Sequence, residues 1–121
     1  MDKAKKFSTS KRLASFTYAI SGIVQLVKQE HNAWLHLAAT IAVIIAGIVQ
    51  HITAMEWVAI SIAIGLVWMA EAFNTAIEMF CDLATEGKWH PVVKKIKDLS
   101  AGAVLITALV SVVVAYWVFF Y

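Results

Sequence analysis

Three apolar stretches, residues 33–49, 57–84 and 99–121, fill more than half of the 121-residue chain and are parted only by short polar breaks. As helices rising about 1.5 Å per residue, the second and third exceed a hydrocarbon core of roughly 30 Å, and the first, Ala33–Val49, stands at the lower limit for crossing one. With 61% hydrophobic and 15% charged residues, the chain is more apolar and less charged than soluble domains. It is built for lipid. The expected fold is an all-α membrane protein, with three transmembrane helices and an N-terminal amphipathic surface helix. A single domain over 1–121 is expected, because no Pro- or Ser-rich linker, internal repeat or low-complexity segment divides the chain.

Ahead of the first span, Leu13, Phe16, Ile20, Ile23, Val24 and Val27 recur at three- and four-residue steps, while Lys11, Arg12, Ser15, Gln25 and Lys28 fall elsewhere. This predicts an amphipathic helix over 10–29, suited either to the headgroup region of a membrane or to packing on another protein helix. Met1–Arg12 leads into that amphipathic stretch and not into an unbroken apolar core, so no cleavable signal peptide is expected. All ten Lys and Arg residues lie before the first span or between the second and third; the Gln50–Glu56 break has none. By the positive-inside rule, the N-terminus and the Thr85–Asp98 segment, which holds Gly87 and Pro91 and reads as a loop, face the cytoplasm. Trp57, Trp117, Phe119, Phe120 and Tyr121 would anchor the outer interface, and Trp34 and Trp89 the inner one. The expected location is a membrane crossed several times, with the N-terminus on its cytoplasmic side.

Polar residues interrupt the second span. Glu71, Asn74, Glu78 and Asp82 fall within roughly an 80° arc at about 100° per residue, and Thr75 joins them. A carboxylate at the centre of a bilayer costs on the order of 2.5 to 3.5 kcal/mol, and such residues mark sites or pathways. This helix runs outward to inward, so Glu78 and Asp82 approach the cytoplasmic surface, with Glu71 about 10 Å deeper than Glu78. Glu30, before the first span, and Lys97 and Asp98, before the third, come to the same surface by topology. Carboxylate oxygens suit Mg²⁺, which binds through one or two carboxylates plus substrate phosphates, and a lysine suits a polyphosphate. The constellation reads as phosphoryl transfer, with a deeper carboxylate placed to take a hydroxyl proton.

Blander readings apply to several of these residues. Glu86 and Asp98 are equally readable as solvated or paired with Lys94, Lys95 and Lys97, and Glu71 as half of an internal salt bridge or part of a proton pathway. His31, His36, His51 and His90 share no metal spacing and read as interfacial or hydrogen-bonded residues. The single Cys81 reads as a small apolar residue. Gly102, with Ala101, Ala103, Ala108 and Ser111, is expected to let helices pack closely. A net charge of +2 argues for no nucleic-acid partner. The chain has no G-x-x-x-x-G-K-[ST] loop and no protein-kinase H-R-D or D-F-G set, so any ATP would sit on a different scaffold. An ion or proton transporter using the same carboxylates is the alternative, and a catalytically silent scaffold a third.

Glu71-Ala-Phe-Asn74-Thr-Ala-Ile-Glu78-Met-Phe-Cys-Asp82 resembles the E-x-x-N-[ST]-A-I-E-x-x-x-D core of the bacterial integral-membrane diacylglycerol kinases, a family that includes undecaprenol kinases. His90-Pro91 followed by Lys97-Asp98-Leu-Ser-Ala-Gly-Ala-Val-Leu resembles a second segment of that family, and Ser15–Gly22 with Glu30-His-Asn32 resembles its N-terminal pattern. The resemblance implies a homotrimer with active sites between protomers, ATP as co-substrate, Mg²⁺ as cofactor, and diacylglycerol or undecaprenol as the lipid. It implies Glu71 as catalytic base, Glu30 and Glu78 as magnesium ligands, and Asn74, Lys97 and Asp98 as phosphate- and site-organising residues. Asp82 and His90 match the nucleotide end.

Overall fold

The structure, a computed structural model, describes residues 8–121. Lys3, Lys5 and Lys6, used above for orientation, lie outside the described residues. Four helices follow one another: α1 (Thr9–Gln29), α2 (His31–Val49), α3 (Ala54–Thr85) and α4 (Pro91–Phe120). The all-helical expectation holds, and α2, α3 and α4 are each long and apolar enough to cross a membrane.

Local chemistry sets most boundaries. Ser8 opens α1 by accepting from the Lys11 N–H at 3.4 Å. Only Glu30, with extended backbone, parts α1 from α2, so α2 begins at His31, two residues before the first apolar run. Thr53 opens α3 with a capping box: the Glu56 N–H donates to Thr53 Oγ1 at 3.2 Å, and the Thr53 N–H donates to Glu56 Oε2 at 2.7 Å. At the far end the chain turns through left-handed Glu86 (φ 53°) and Gly87 (φ 77°), and the Gly87 N–H bonds back to the Asp82 carbonyl at 3.0 Å.

The start of α4 departs from the sequence reading. Residues 91–98, expected as part of a loop, form its first two turns, so the connection shrinks to 86–90. Pro91 is not a breaker here; it stands in the first turn, where its missing N–H has no intrahelical partner to lose and its fixed φ suits a helix. His90 completes the start, its Nδ1 accepting the Val92 N–H at 3.1 Å.

Helix α3 is the centre of the packing. Its buried residues, Ile60, Ala63, Val67, Glu71, Asn74 and Cys81, are spaced by three, four or seven, which makes one stripe along the helix. Helix α4 packs most extensively on α3, and α2 lies against both. Ser111 marks a close approach of α4, its Oγ reaching the Ala63 carbonyl at 3.3 Å. No such approach is seen at Gly102, where an added Cβ would meet nothing within 4 Å. It does occur at Gly47, where a Cβ would fall 2.7 Å from Trp57 Cη2. Elsewhere the surface is apolar: Ile41, Ile45, Ile48, Leu105, Ile106, Leu109 and Val113 are all exposed. On α1, the apolar stripe of Leu13, Phe16, Ile20 and Ile23 is likewise uncovered by the rest of the chain, and only Leu26 is buried.

Candidate functional site

Two of the six positions on the buried stripe of α3 are polar. Glu71 is 1% exposed and Asn74 6%, so side chains that water would solvate stand where a helix core takes leucine or valine. The Glu71 carboxylate has one partner: its Oε2 lies 3.2 Å from His36 Nε2 on α2. Its Oε1 has none, nor do Asn74 Oδ1 and Thr75 Oγ1, although all three atoms are buried. An unsatisfied buried polar atom costs about 1–3 kcal/mol. Three on adjacent turns are tolerated where a bound group completes them.

His36 is held from two sides. Its backbone carbonyl accepts from Thr40 Oγ1 at 2.7 Å, and that same oxygen accepts from Trp68 Nε1 at 3.0 Å, tying α2 to α3. The Trp68 and His36 rings meet edge on, with centroids 6.2 Å apart. Sequence spacing alone did not single out His36. A signal was present, because His36 and Thr40, one turn apart, are the clearly polar residues within the Ala33–Val49 run.

The His36–Glu71 contact fixes the register of the antiparallel α2 and α3. Glu30 precedes His36 by six residues and Glu78 follows Glu71 by seven, so both lie toward the same end of the two helices. Glu78 Oε1 accepts from Asn74 Nδ2 at 3.3 Å. Glu30 is half-buried at the N-cap position of α2, yet its side chain makes no capping bond. Among the described residues, no three His, Cys, Asp or Glu side chains converge as a closed metal cluster.

Closer to that end the groups are solvent-facing. Lys97 Nζ donates to Asp82 Oδ1 at 2.7 Å, joining the beginning of α4 to the end of α3, and Lys94 Nζ donates to Asp98 Oδ2 at 2.7 Å. Pairs this exposed are weak. His90 is exposed and uses Nδ1 to cap α4. The structure thus joins Glu71 to His36, Asn74 to Glu78 and Lys97 to Asp82, while pairing Asp98 with Lys94. On the opposite side of His36, a groove of about 370 Å³ runs between α2, α3 and α4, lined by apolar residues including Ala39, Val43, Ile60, Ala63 and Ala108.

The arrangement is a buried carboxylate with a free oxygen between an apolar groove and an ionic, solvent-facing end. Residues 17–119 match the family described as prokaryotic diacylglycerol kinase. The chain is 39% identical over 105 residues to the undecaprenol kinase of Bacillus subtilis (strain 168), covering 87% of this chain and 85% of that protein. It is 34% identical over 102 residues to the diacylglycerol kinase of Synechocystis, covering 84% of this chain and 58% of that protein. Both relatives are named kinases, and neither name supports the ion-transport alternative. No solved structure matches the chain. By a match spanning most of its length, the chain belongs to the prokaryotic diacylglycerol kinase family.

Proposed function

We propose that this protein is an integral-membrane lipid kinase that transfers the γ-phosphate of ATP to a lipid hydroxyl at the cytoplasmic face. The observation that carries this reading is the unpartnered Oε1 of a Glu71 that is 1% exposed, set between the apolar groove and the ionic end. A lipid alcohol needs such a boundary, because its chain belongs in the groove side of the bilayer and its hydroxyl at headgroup depth.

The chemistry follows from the groups present. Glu71 Oε1 accepts the hydroxyl proton as the lipid oxygen forms its bond to the γ-phosphorus and the bond to the departing ADP oxygen breaks. Lys97 exchanges Asp82 for the nucleotide phosphates, and Asn74 orients the headgroup region through its buried amide. Asp82, Asp98 and His90 border the nucleotide end. Oxygen donors, including the orphaned Asn74 Oδ1, suit a hard cation, and a two-carboxylate set is enough for Mg²⁺, which keeps waters and substrate phosphates as its other ligands. Glu30 and Glu78 would hold it, and when bound it neutralises phosphate charge.

Undecaprenol is the first lipid to test, since the match to the B. subtilis enzyme spans most of both chains; diacylglycerol is the second. The uncovered apolar stripe of α1 suits a membrane surface, and the exposed apolar faces of α2 and α4 suit lipid and further copies of the chain. A homotrimer with sites shared between protomers and the N-terminus in the cytoplasm completes the reading. The test offers radiolabelled ATP to the purified protein in liposomes containing each lipid in turn. Label transferred to undecaprenol or diacylglycerol by the wild type, and not by Glu71→Gln, is expected; transfer to neither lipid would remove the proposed activity.

A further inference from the structure

Glu71 faces a problem that its helix cannot solve. Its carboxylate is 1% exposed, so which oxygen meets a substrate hydroxyl must be set by a contact from another helix. The titratable groups on the other helices are few. Helix α4 carries none between Asp98 and Tyr116, α2 has only His31 and His36, and α1 offers Lys11, Arg12, Tyr18 and Lys28. Along α3, the next carboxylate, Glu78, is about 10 Å away. The residue in contact is His36, 3.2 Å from Oε2 and 15% exposed.

We infer that His36 is a positioning residue for this site, donating an Nε2–H hydrogen bond to Glu71 Oε2 that orients the carboxylate and leaves Oε1 for the substrate hydroxyl. This rests on the kinase reading for its consequence in catalysis, and on the geometry for the rest. An ionised carboxylate only accepts hydrogen bonds, so the proton between the two must sit on Nε2. The bond occupies one carboxylate oxygen and leaves the other, which is the orphaned one. The indole of Trp68 backs the imidazole edge on, and Trp68 is itself held by the bond from its Nε1 to Thr40 Oγ1, one turn beyond His36 on α2. Trp68 precedes Glu71 by three residues on the same face of α3, so one helix carries both the base and the clamp on its partner. The proton removed from the lipid goes to Oε1, and His36 keeps its own.

The test compares His36→Leu, which removes the donor, with His36→Gln, whose side-chain amide can present an N–H near the same place, and His36→Asn, whose shorter side chain cannot. Loss of a hydrogen bond to a charged group predicts that kcat for lipid phosphorylation falls about 10- to 100-fold in His36→Leu and His36→Asn. KM for ATP should stay within about twofold, and His36→Gln should recover most of kcat. A readout independent of activity is infrared absorption of the protein in liposomes at neutral pH. The carboxylate stretching band assigned to Glu71 by its loss in Glu71→Gln should shift in His36→Leu and return toward its wild-type position in His36→Gln. Unchanged kcat in His36→Leu, or an unshifted band, overturns the inference. Should His36→Leu fail to reach the membrane, equal kcat and equal spectra in the Gln and Asn variants overturn it. An inactive Glu71→Gln beside a fully active His36→Leu refutes the role of His36 alone, whereas an active Glu71→Gln refutes the base.

Discussion

Nε2 of His36 and Oε2 of Glu71 stand 3.2 Å apart across the α2–α3 interface, one residue 15% exposed and the other 1%. The contact places a polar pair in an otherwise apolar packing layer and leaves the second carboxylate oxygen without a partner. The proposed chemistry depends on that free oxygen.

Glu71→Gln keeps the shape of the side chain and its capacity to accept from His36, but removes a usable base. Lipid phosphorylation should fall by about 10²- to 10⁴-fold, with ATP affinity changed less than about threefold. Thermal stability should not decline, since a buried charge is removed with its hydrogen bond kept. Turnover assays with nucleotide binding on the same preparation check both parts.

Glu30 and Glu78 are proposed to hold a single ion. Each Gln variant should raise the Mg²⁺ concentration for half-maximal activity by about tenfold, as expected when a ligand charge is lost. The double variant should be less impaired than the product of the singles, because residues sharing one partner are not additive. A strictly multiplicative result in Mg²⁺ titrations would contradict a shared ion.

Lys97 is bonded to Asp82 at 2.7 Å, yet the side chains are 38% and 59% exposed. Lys97→Met should therefore leave thermal unfolding nearly unchanged while raising KM for ATP about tenfold, the effect shrinking at high salt. A large loss of stability with normal KM would make the pair structural.

His90 separates two roles by substitution. Its Nδ1 caps α4, so His90→Ala should cost about 0.5–2 kcal/mol of stability, whereas His90→Asn supplies a new cap and should cost little. If the imidazole also borders the nucleotide, KM for ATP rises in both variants. An unchanged KM in the stable Asn variant leaves capping as its sole function.

Gly47 permits the turn between α2 and α3. An added Cβ would lie 2.7 and 2.9 Å from Cη2 and Cζ2 of Trp57 and 3.1 Å from Ile52 Cδ1. Gly47→Ala should destabilise the protein by about 1–3 kcal/mol, as overpacking does. Trp57→Phe lacks the two nearest atoms, so the double variant should recover part of the loss in denaturant titrations.

What the sequence by itself determined is what depends on neighbours a few positions away. The apolar runs gave α2, α3 and α4; Thr53 and Glu56 carry their capping box three residues apart; and the spacing of Glu71, Asn74, Glu78 and Asp82 placed them on one side of α3 before any packing was known. The Pro91 signal was visible but ambiguous, since proline both ends helices and begins them, and the His90 cap settles which. Tertiary structure decided what depends on how antiparallel helices slide past one another. His36 and Glu71 are 35 residues apart, and a shift of one turn, about 5.4 Å, would leave the carboxylate without its donor. The packing of α4 on α3 likewise sets Lys97 against Asp82. Periodicity fixes which face a side chain is on; only the packed bundle fixes which side chain it meets.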